Sequence, residues 1–194
     1  VDGANLLLAV PGSGKTTVLV ARLGYMILCK NINPDSILAM TFSKQAAKDM
    51  HRRFCKVFGA QLGERVEFRT IHAVAYQIVR RYAQLFQKIP PKLLDDNKKL
   101  IIDILKDHLD EFPSDSDIAE AQAAITFIKN MSLSMDEIPK QEFAIDKMEE
   151  VYTRYQECLN TYRLMDFDDQ VVFAVQLLKA IPGLLTEYQQ RFTY

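Results

Sequence analysis

Between Leu6 and Thr17 the chain sets out the residues best suited to chemistry. An apolar run, Leu6-Leu7-Leu8-Ala9-Val10, breaks at Pro11 and enters Gly12-Ser13-Gly14-Lys15-Thr16-Thr17. Glycines at 12 and 14 permit sharp backbone conformations and put no Cβ in the way of a ligand. With a helix starting behind them, the loop N–H groups converge on an anion at the positive end of the helix dipole. An apolar strand, Gly-x-Gly-Lys-Thr and then a helix is the arrangement of a phosphate-binding P-loop. In that arrangement Lys15 reaches the terminal phosphates of a nucleotide, and the Thr16 hydroxyl ligates the magnesium ion bridging them. The expected nucleotide contacts are therefore Gly12, Ser13, Gly14, Lys15, Thr16 and Thr17, with Lys15 and Thr16 in catalytic roles and ATP and Mg2+ as cofactors. One position departs from the usual pattern: Ala9 stands where Gly opens it. A plain glycine turn competes with this reading, but a Lys and a Thr straight after the second glycine serve no purpose in a turn.

The elements that must position this loop are legible as periodicities. Val18, Leu19, Leu23, Met26 and Ile27 recur at helical spacing, so a helix is expected from Thr16 to about Lys30. Asn31 to Asp35 reads as a turn, and Ser36 to Phe42 as a short buried parallel strand. Ser43 then caps a helix running to Phe58, basic along Lys44, Lys48 and Arg52 and apolar along Ala46, Ala47, Met50 and Phe54. Gly59 and Gly63 bracket a loop, Val66 to Thr70 is a third strand, and Ile71 to about Phe86 is a third helix. Strand and helix repeated three times predict an open parallel α/β sheet. From Pro91 to about Leu164 no strand is expected, only amphipathic helices near 95–109, 116–131 and 145–162. A helix after Met165-Asp166-Phe167-Asp168-Asp169, a turn at Pro182-Gly183 and a last short helix to Arg191 complete the chain.

At 194 residues the chain is one large domain or two small ones. No apolar run approaches the length of a membrane span, and the start at Val1, nearly on the first strand, suggests a piece of something longer. Cys29, Cys55 and Cys158 are scattered in helical settings, with neither zinc nor disulfide spacing, so a cytoplasmic location is expected. A net charge of −1 gives no whole-chain attraction to nucleic acid. Its distribution is uneven: nine bases face three acids between Lys44 and Arg81, while 82–170 holds about twice as many acids as bases. His51 and His108 sit on polar helical faces and receive no role.

A P-loop ATPase also needs an apolar strand ending in an acid to hold magnesium. Leu100-Ile101-Ile102-Asp103 is the nearest match, but it belongs to an amphipathic helix and no Glu follows. The second acid is thus missing, and Phe192-Thr193-Tyr194 reads as the start of a new strand.

Taken together these stretches resemble the N-terminal part of superfamily 1 DNA helicases of the UvrD/Rep/PcrA type. Ala9 to Thr16 resembles that family's first motif, which commonly opens with Ala. Ile37 to Met50, ILAMTFSKQAAKDM, resembles motif Ia, and Thr70-Ile71-His72 resembles motif Ib with Ile71 replacing an aromatic. Asp166-Phe167-Asp168-Asp169 resembles the stretch ahead of the family's magnesium-binding acid. The resemblance implies a RecA-like P-loop NTPase domain 1A over residues 1–89, an all-helical insertion 1B over 90–164, and a return to 1A over 165–194. It implies an ATP-dependent helicase that translocates on single-stranded DNA, 3′ to 5′, and unwinds duplex junctions. A second RecA-like domain of the same longer chain would close on ATP, and this piece alone would be inactive. By the same resemblance Thr41, Phe42, Ser43, Thr70 and His72 contact DNA. Their chemistry suits such contacts, since an exposed Phe can stack a base, and hydroxyls and imidazole suit phosphate oxygens. Structural roles compete at each position: Phe42 as core, Ser43 as a cap, His72 as a structural histidine. Asp166 and Asp169 have helix-capping spacing and read as structural. A helicase–nuclease subunit of the RecB or AddA kind, and a nucleotide switch or scaffold that never moves DNA, remain as alternatives.

Overall fold

The core of the first sheet is built with two helices whose apolar stripes are clear in the sequence, while Met40 on the sheet is left 53% exposed. The computed structural model describes residues 3–8, 10, 12–109 and 111–194. Helix α1 (Lys15–Leu28) buries Val20, Leu23, Met26 and Ile27. A single 3-10 turn at Pro34–Ser36 leads into β1 (Leu38–Thr41). Helix α2 (Lys44–Phe58) turns Ala47, Met50 and Phe54 inward. A four-residue helix, α3 (Ala60–Gly63), precedes β2 (Glu67–Thr70) and the long α4 (Ile71–Leu85). Strands β1 and β2 pair in parallel with Leu38 opposite Glu67 and Thr41 opposite Thr70. Their core joins Val20, Leu23, Met26, Ile27, Ile37, Met50, Phe54 and Val66. Helices α1 and α2 approach so closely that a Cβ on Gly24 would run into the Phe58 ring.

The chain divides into two compact units, residues 1–74 with 181–194, and residues 75–180. The second unit is mainly helical: α5 (Lys98–Leu109), α6 (Asp115–Met131), α7 (Met148–Thr161) and α8 (Phe167–Ala180). Its core is Ile101, Leu105, Ala121, Ile125, Ile128, Tyr155 and Leu159, each at most 1% exposed. Ser114 and Asp117 start α6 with a reciprocal capping box. Helix α9 (Pro182–Arg191) belongs to the first unit. Among the described residues no single helix is long and apolar enough to cross a membrane.

Four expectations are corrected. The run Leu6 to Val10 forms no strand among its described residues, and Leu6, Leu8 and Val10 are 86%, 82% and 71% exposed. The β1 edge away from β2 is met instead by the last residue: Leu38 N–H donates to the Tyr194 carbonyl at 2.8 Å and Tyr194 N–H to the Ser36 carbonyl at 3.1 Å. Among the described residues the first sheet therefore has two strands rather than three, and the fold is α/β with small parallel sheets flanked by many helices. Residues 60–63 coil into α3 where a loop was expected. The 91–164 stretch does contain a strand: β3 (Lys92–Leu93) pairs in parallel with β4 (Leu164–Met165). Two residues carry too little periodicity to be seen in a sequence. Pro182-Gly183 is the first turn of α9, where a fixed φ is favourable. Val1, Asp2, Ala9, Pro11 and Asp110 lie outside the described residues, and with them the Ala9 opening of the loop motif and the Pro11 break.

Candidate nucleotide and nucleic-acid site

The loop ahead of α1 takes its shape from its glycines. Gly12 and Gly14 have φ of 81° and 84°, the left-handed region that side chains resist. Among the described residues no atom stands within 4 Å of where a Cβ would project at either, so the space on that side of each glycine is open. Gly14 is the N-cap of α1, with no side-chain hydrogen bond to the cap and no acid in the first turn. The positive helix end thus carries no neutralising acid of its own. Ser13 folds back: its N–H and hydroxyl both donate to the Val10 carbonyl, at 3.2 and 2.7 Å. The Lys15 ammonium donates to the same carbonyl at 2.8 Å. Thr16 is half-buried and Thr17 exposed. Donors converging on an uncapped helix start suit phosphate oxygens, and a Thr hydroxyl is the hard ligand magnesium takes.

A second group forms where β1 and β2 end. Thr41 and Thr70 face each other in register as the last residues of their strands. Phe42 follows Thr41 and is 83% exposed, which removes the core reading of this ring. Its centroid lies 6.5 Å from the His72 ring, edge to face at 74°. Ser43 is the α2 N-cap, its Oγ accepting from Ala46 N–H at 3.1 Å, while Thr41 Oγ1 donates to the Ser43 carbonyl at 3.0 Å. Thr70 is 7% exposed and its Oγ1 accepts from Ala73 N–H at 3.1 Å, holding the start of α4. The fold brings these five residues to one end of the sheet, where open α/β sheets receive ligands. Thr70 and Ser43 shape that end through their caps, and Phe42 projects from it.

Residues 1–194 match the family described as the UvrD/REP helicase N-terminal domain. The chain belongs to that family. Among the relatives of this UvrD/REP-type chain are the ATP-dependent DNA helicases PcrA of Staphylococcus aureus (strain Mu50 / ATCC 700699) and of Staphylococcus epidermidis (strain ATCC 12228 / FDA PCI 1200). Each is 32% identical over 204 residues, covering all of this chain. The chain spans about a quarter, 27%, of the length of these relatives.

The UvrD/REP-type chain also holds a buried charge cluster that its sequence did not announce. Asp169 N–H donates to Asp166 Oδ1 at 2.8 Å and Asp166 N–H to Asp169 Oδ2 at 3.1 Å, a reciprocal cap at the start of α8. That is the structural role their spacing suggested. The Lys129 ammonium, its side chain 2% exposed, reaches Asp166 Oδ2 at 2.6 Å and Asp169 Oδ1 at 2.7 Å. The Tyr155 hydroxyl donates to Asp166 Oδ2 at 2.9 Å, and Asn97 Nδ2 donates to that hydroxyl at 3.1 Å. Thr126 Oγ1 donates to Asp168 Oδ2 at 2.9 Å and Asn130 Nδ2 to Asp168 Oδ1 at 3.5 Å, further ties from α6 to α8. Burial pushes the Asp169 carboxyl above its ordinary value, against the pull of Lys129. Burial, then the charge of Asp166, pushes the Tyr155 hydroxyl well above its ordinary value. Lys129 carried one usable signal: it falls four residues after Ile125 and eleven after Ile118, on the buried stripe of α6.

Proposed function

We propose that this chain is the ATP-binding part of an ATP-dependent DNA helicase that moves 3′ to 5′ along single-stranded DNA. The observation that carries the reading is the loop: two left-handed glycines under open space, an uncapped helix start without acids, and Lys15 folded beside it. In this reading Gly12 to Thr17 hold the triphosphate, Lys15 leaves the Val10 carbonyl for phosphate oxygens, and Thr16 holds magnesium. Magnesium, when bound, supplies charge neutralisation between the phosphates. Phe42 stacks a base without regard to its identity, and His72 meets it edge-on. Thr41, Ser43 and Thr70 keep that end of the sheet in shape and offer oxygens to the backbone of the strand. Domain 1A over 1–89 and 165–194, insertion 1B over 90–164, a cytoplasmic location, duplex junctions as substrates and a second RecA-like domain belong to the same proposal. Membership of the UvrD/REP family supports it, as does the activity for which the PcrA relatives are named.

The test is the steady-state ATPase rate of the full-length gene product with and without single-stranded DNA, beside its Lys15→Ala form. DNA stimulation that disappears in the variant is expected. ATP hydrolysis indifferent to DNA would refute the motor and favour the switch or scaffold.

A further inference from the structure

The basic stretch between Lys44 and Arg81 is only partly accounted for by the Phe42 end of the sheet. Three of its members, Lys48, Arg65 and Arg69, line an open groove of about 790 Å³ in the first unit, and Arg191 of α9 joins them. The floor of the groove is β2. Its Glu67 side chain is 14% exposed and takes two arginines at once: Arg69 Nε on Oε1 at 2.8 Å and Arg191 Nη2 on Oε2 at 2.8 Å. The two arginine side chains are 45% and 56% exposed.

We propose that this groove is a second anion site, separate from the Gly12 to Thr16 loop, that takes a phosphoryl group between Arg69 and Arg191 with Lys48 alongside. A tie between β2 and α9 needs one arginine; two on one carboxylate leave a surplus positive charge and place two guanidinium forks side by side. Each guanidinium has five N–H donors in a planar fork, and the Glu67 oxygens accept from Arg69 Nε and Arg191 Nη2. Such forks match the spacing of phosphoryl oxygens, and Glu67 fixes them before any ligand arrives. Lys48 is exposed on α2 and has no ion-pair partner among the described residues. The opposing charges are accounted for. Asp35 is taken by Arg65 at 2.6 Å, whose hydrogen bonds hold its carboxyl below the usual range. Glu67 is shared as described, and Glu64 is the lining acid with no ion pair among the described residues. His51 is turned to Cys55, Nε2 to Sγ at 3.4 Å, and to the Phe68 ring. The phosphoryl group can come from a nucleic-acid backbone or from a free phosphate compound.

The probe is inorganic pyrophosphate, titrated calorimetrically into the full chain carrying Lys15→Ala, which silences the loop. Binding is expected, weakened at least tenfold by adding Arg69→Gln with Arg191→Gln. Lys48→Gln changes an exposed helix residue, so it should fold normally and weaken pyrophosphate about threefold at unchanged melting temperature. That variant decides the matter if the double arginine change does not fold. A labelled oligothymidine then separates the sources. If the same variants weaken it and pyrophosphate displaces it, the backbone of a strand is the ligand; if it is indifferent, the ligand is a free phosphate compound. Absence of pyrophosphate binding in the Lys15→Ala chain overturns the site, as does affinity within twofold of it in all the groove variants. A polyglutamate peptide that binds the groove as tightly as pyrophosphate overturns the phosphoryl assignment.

Discussion

Replacing Lys129 by Met keeps the length of the side chain in the second unit's core and removes its charge. Two carboxylates within 2.7 Å of the ammonium would then be buried without a cation among the described residues. Breaking a buried pair by deleting one partner costs about 3–5 kcal/mol. An independent bound comes from the escape route open to a stranded carboxylate, which is to take up a proton. Raising a group from its ordinary 3.8 to neutrality costs about 1.4 kcal/mol per pH unit, about 4 kcal/mol in all. The two figures agree, so a loss of about 4 kcal/mol near pH 7 is expected. The sign of the pH dependence follows. With the folded-state value of Asp169 raised above that of the unfolded chain, the folded variant binds more protons, and its stability rises as pH falls from 7 toward 4. Urea unfolding of the full chain, followed by far-ultraviolet circular dichroism at pH 7 and 4.5, measures both effects at constant slope. The exposed Lys99→Met serves as the control, expected within about 0.5 kcal/mol of the parent. A loss under about 1 kcal/mol, or no recovery relative to the control at the lower pH, would refute the idea that Lys129 neutralises these acids.

Three further outcomes are expected. Phe42→Ala should weaken single-stranded DNA by about 1–3 kcal/mol in fluorescence anisotropy, by a similar factor for every sequence; a loss confined to one sequence would contradict stacking. Gly24→Ala drives a methyl into Phe58 and should destabilise the chain by about 1–3 kcal/mol in urea unfolding, whereas Gly183→Ala, in open space, should be tolerated. Because the Tyr155 hydroxyl stays neutral in the folded state above pH 10 while the unfolded chain ionises, stability should fall with rising alkalinity. Tyr155→Phe should flatten that decline in thermal melts between pH 9 and 11; an unchanged slope would show that another group controls it.

Where local pattern decides local structure, the sequence was a good guide. Ser43 announces α2 through its own hydroxyl, and the apolar stripe of α1 ends within two residues of the expected place. The cap behind β1 and the helix behind β2 marked where both strands end, so the meeting of Thr41, Phe42 and Thr70 was legible as soon as parallel pairing was assumed. The rest depended on distant partners. Leu6 to Val10 has the composition of a strand, but a strand also needs an edge, and composition does not say whether one is free. Lys129 reads as one more surface charge until Asp166, 37 residues on, is folded against it. The Glu67–Arg191 contact spans 124 residues, and no periodicity reaches that far.

The bond from Lys15 to the Val10 carbonyl makes the loop its own competitor. An ammonium held by a neutral oxygen of its own chain sees that acceptor at a constant high local concentration. Under the proposed phosphate role, an incoming anion would have to outcompete it, which favours a doubly charged phosphate over chloride or water. Under the same proposal the contact would work in reverse when a ligand departs, the carbonyl recapturing the lysine. In that proposed role, this 2.8 Å contact would favour strongly charged ligands and return the loop to its starting shape.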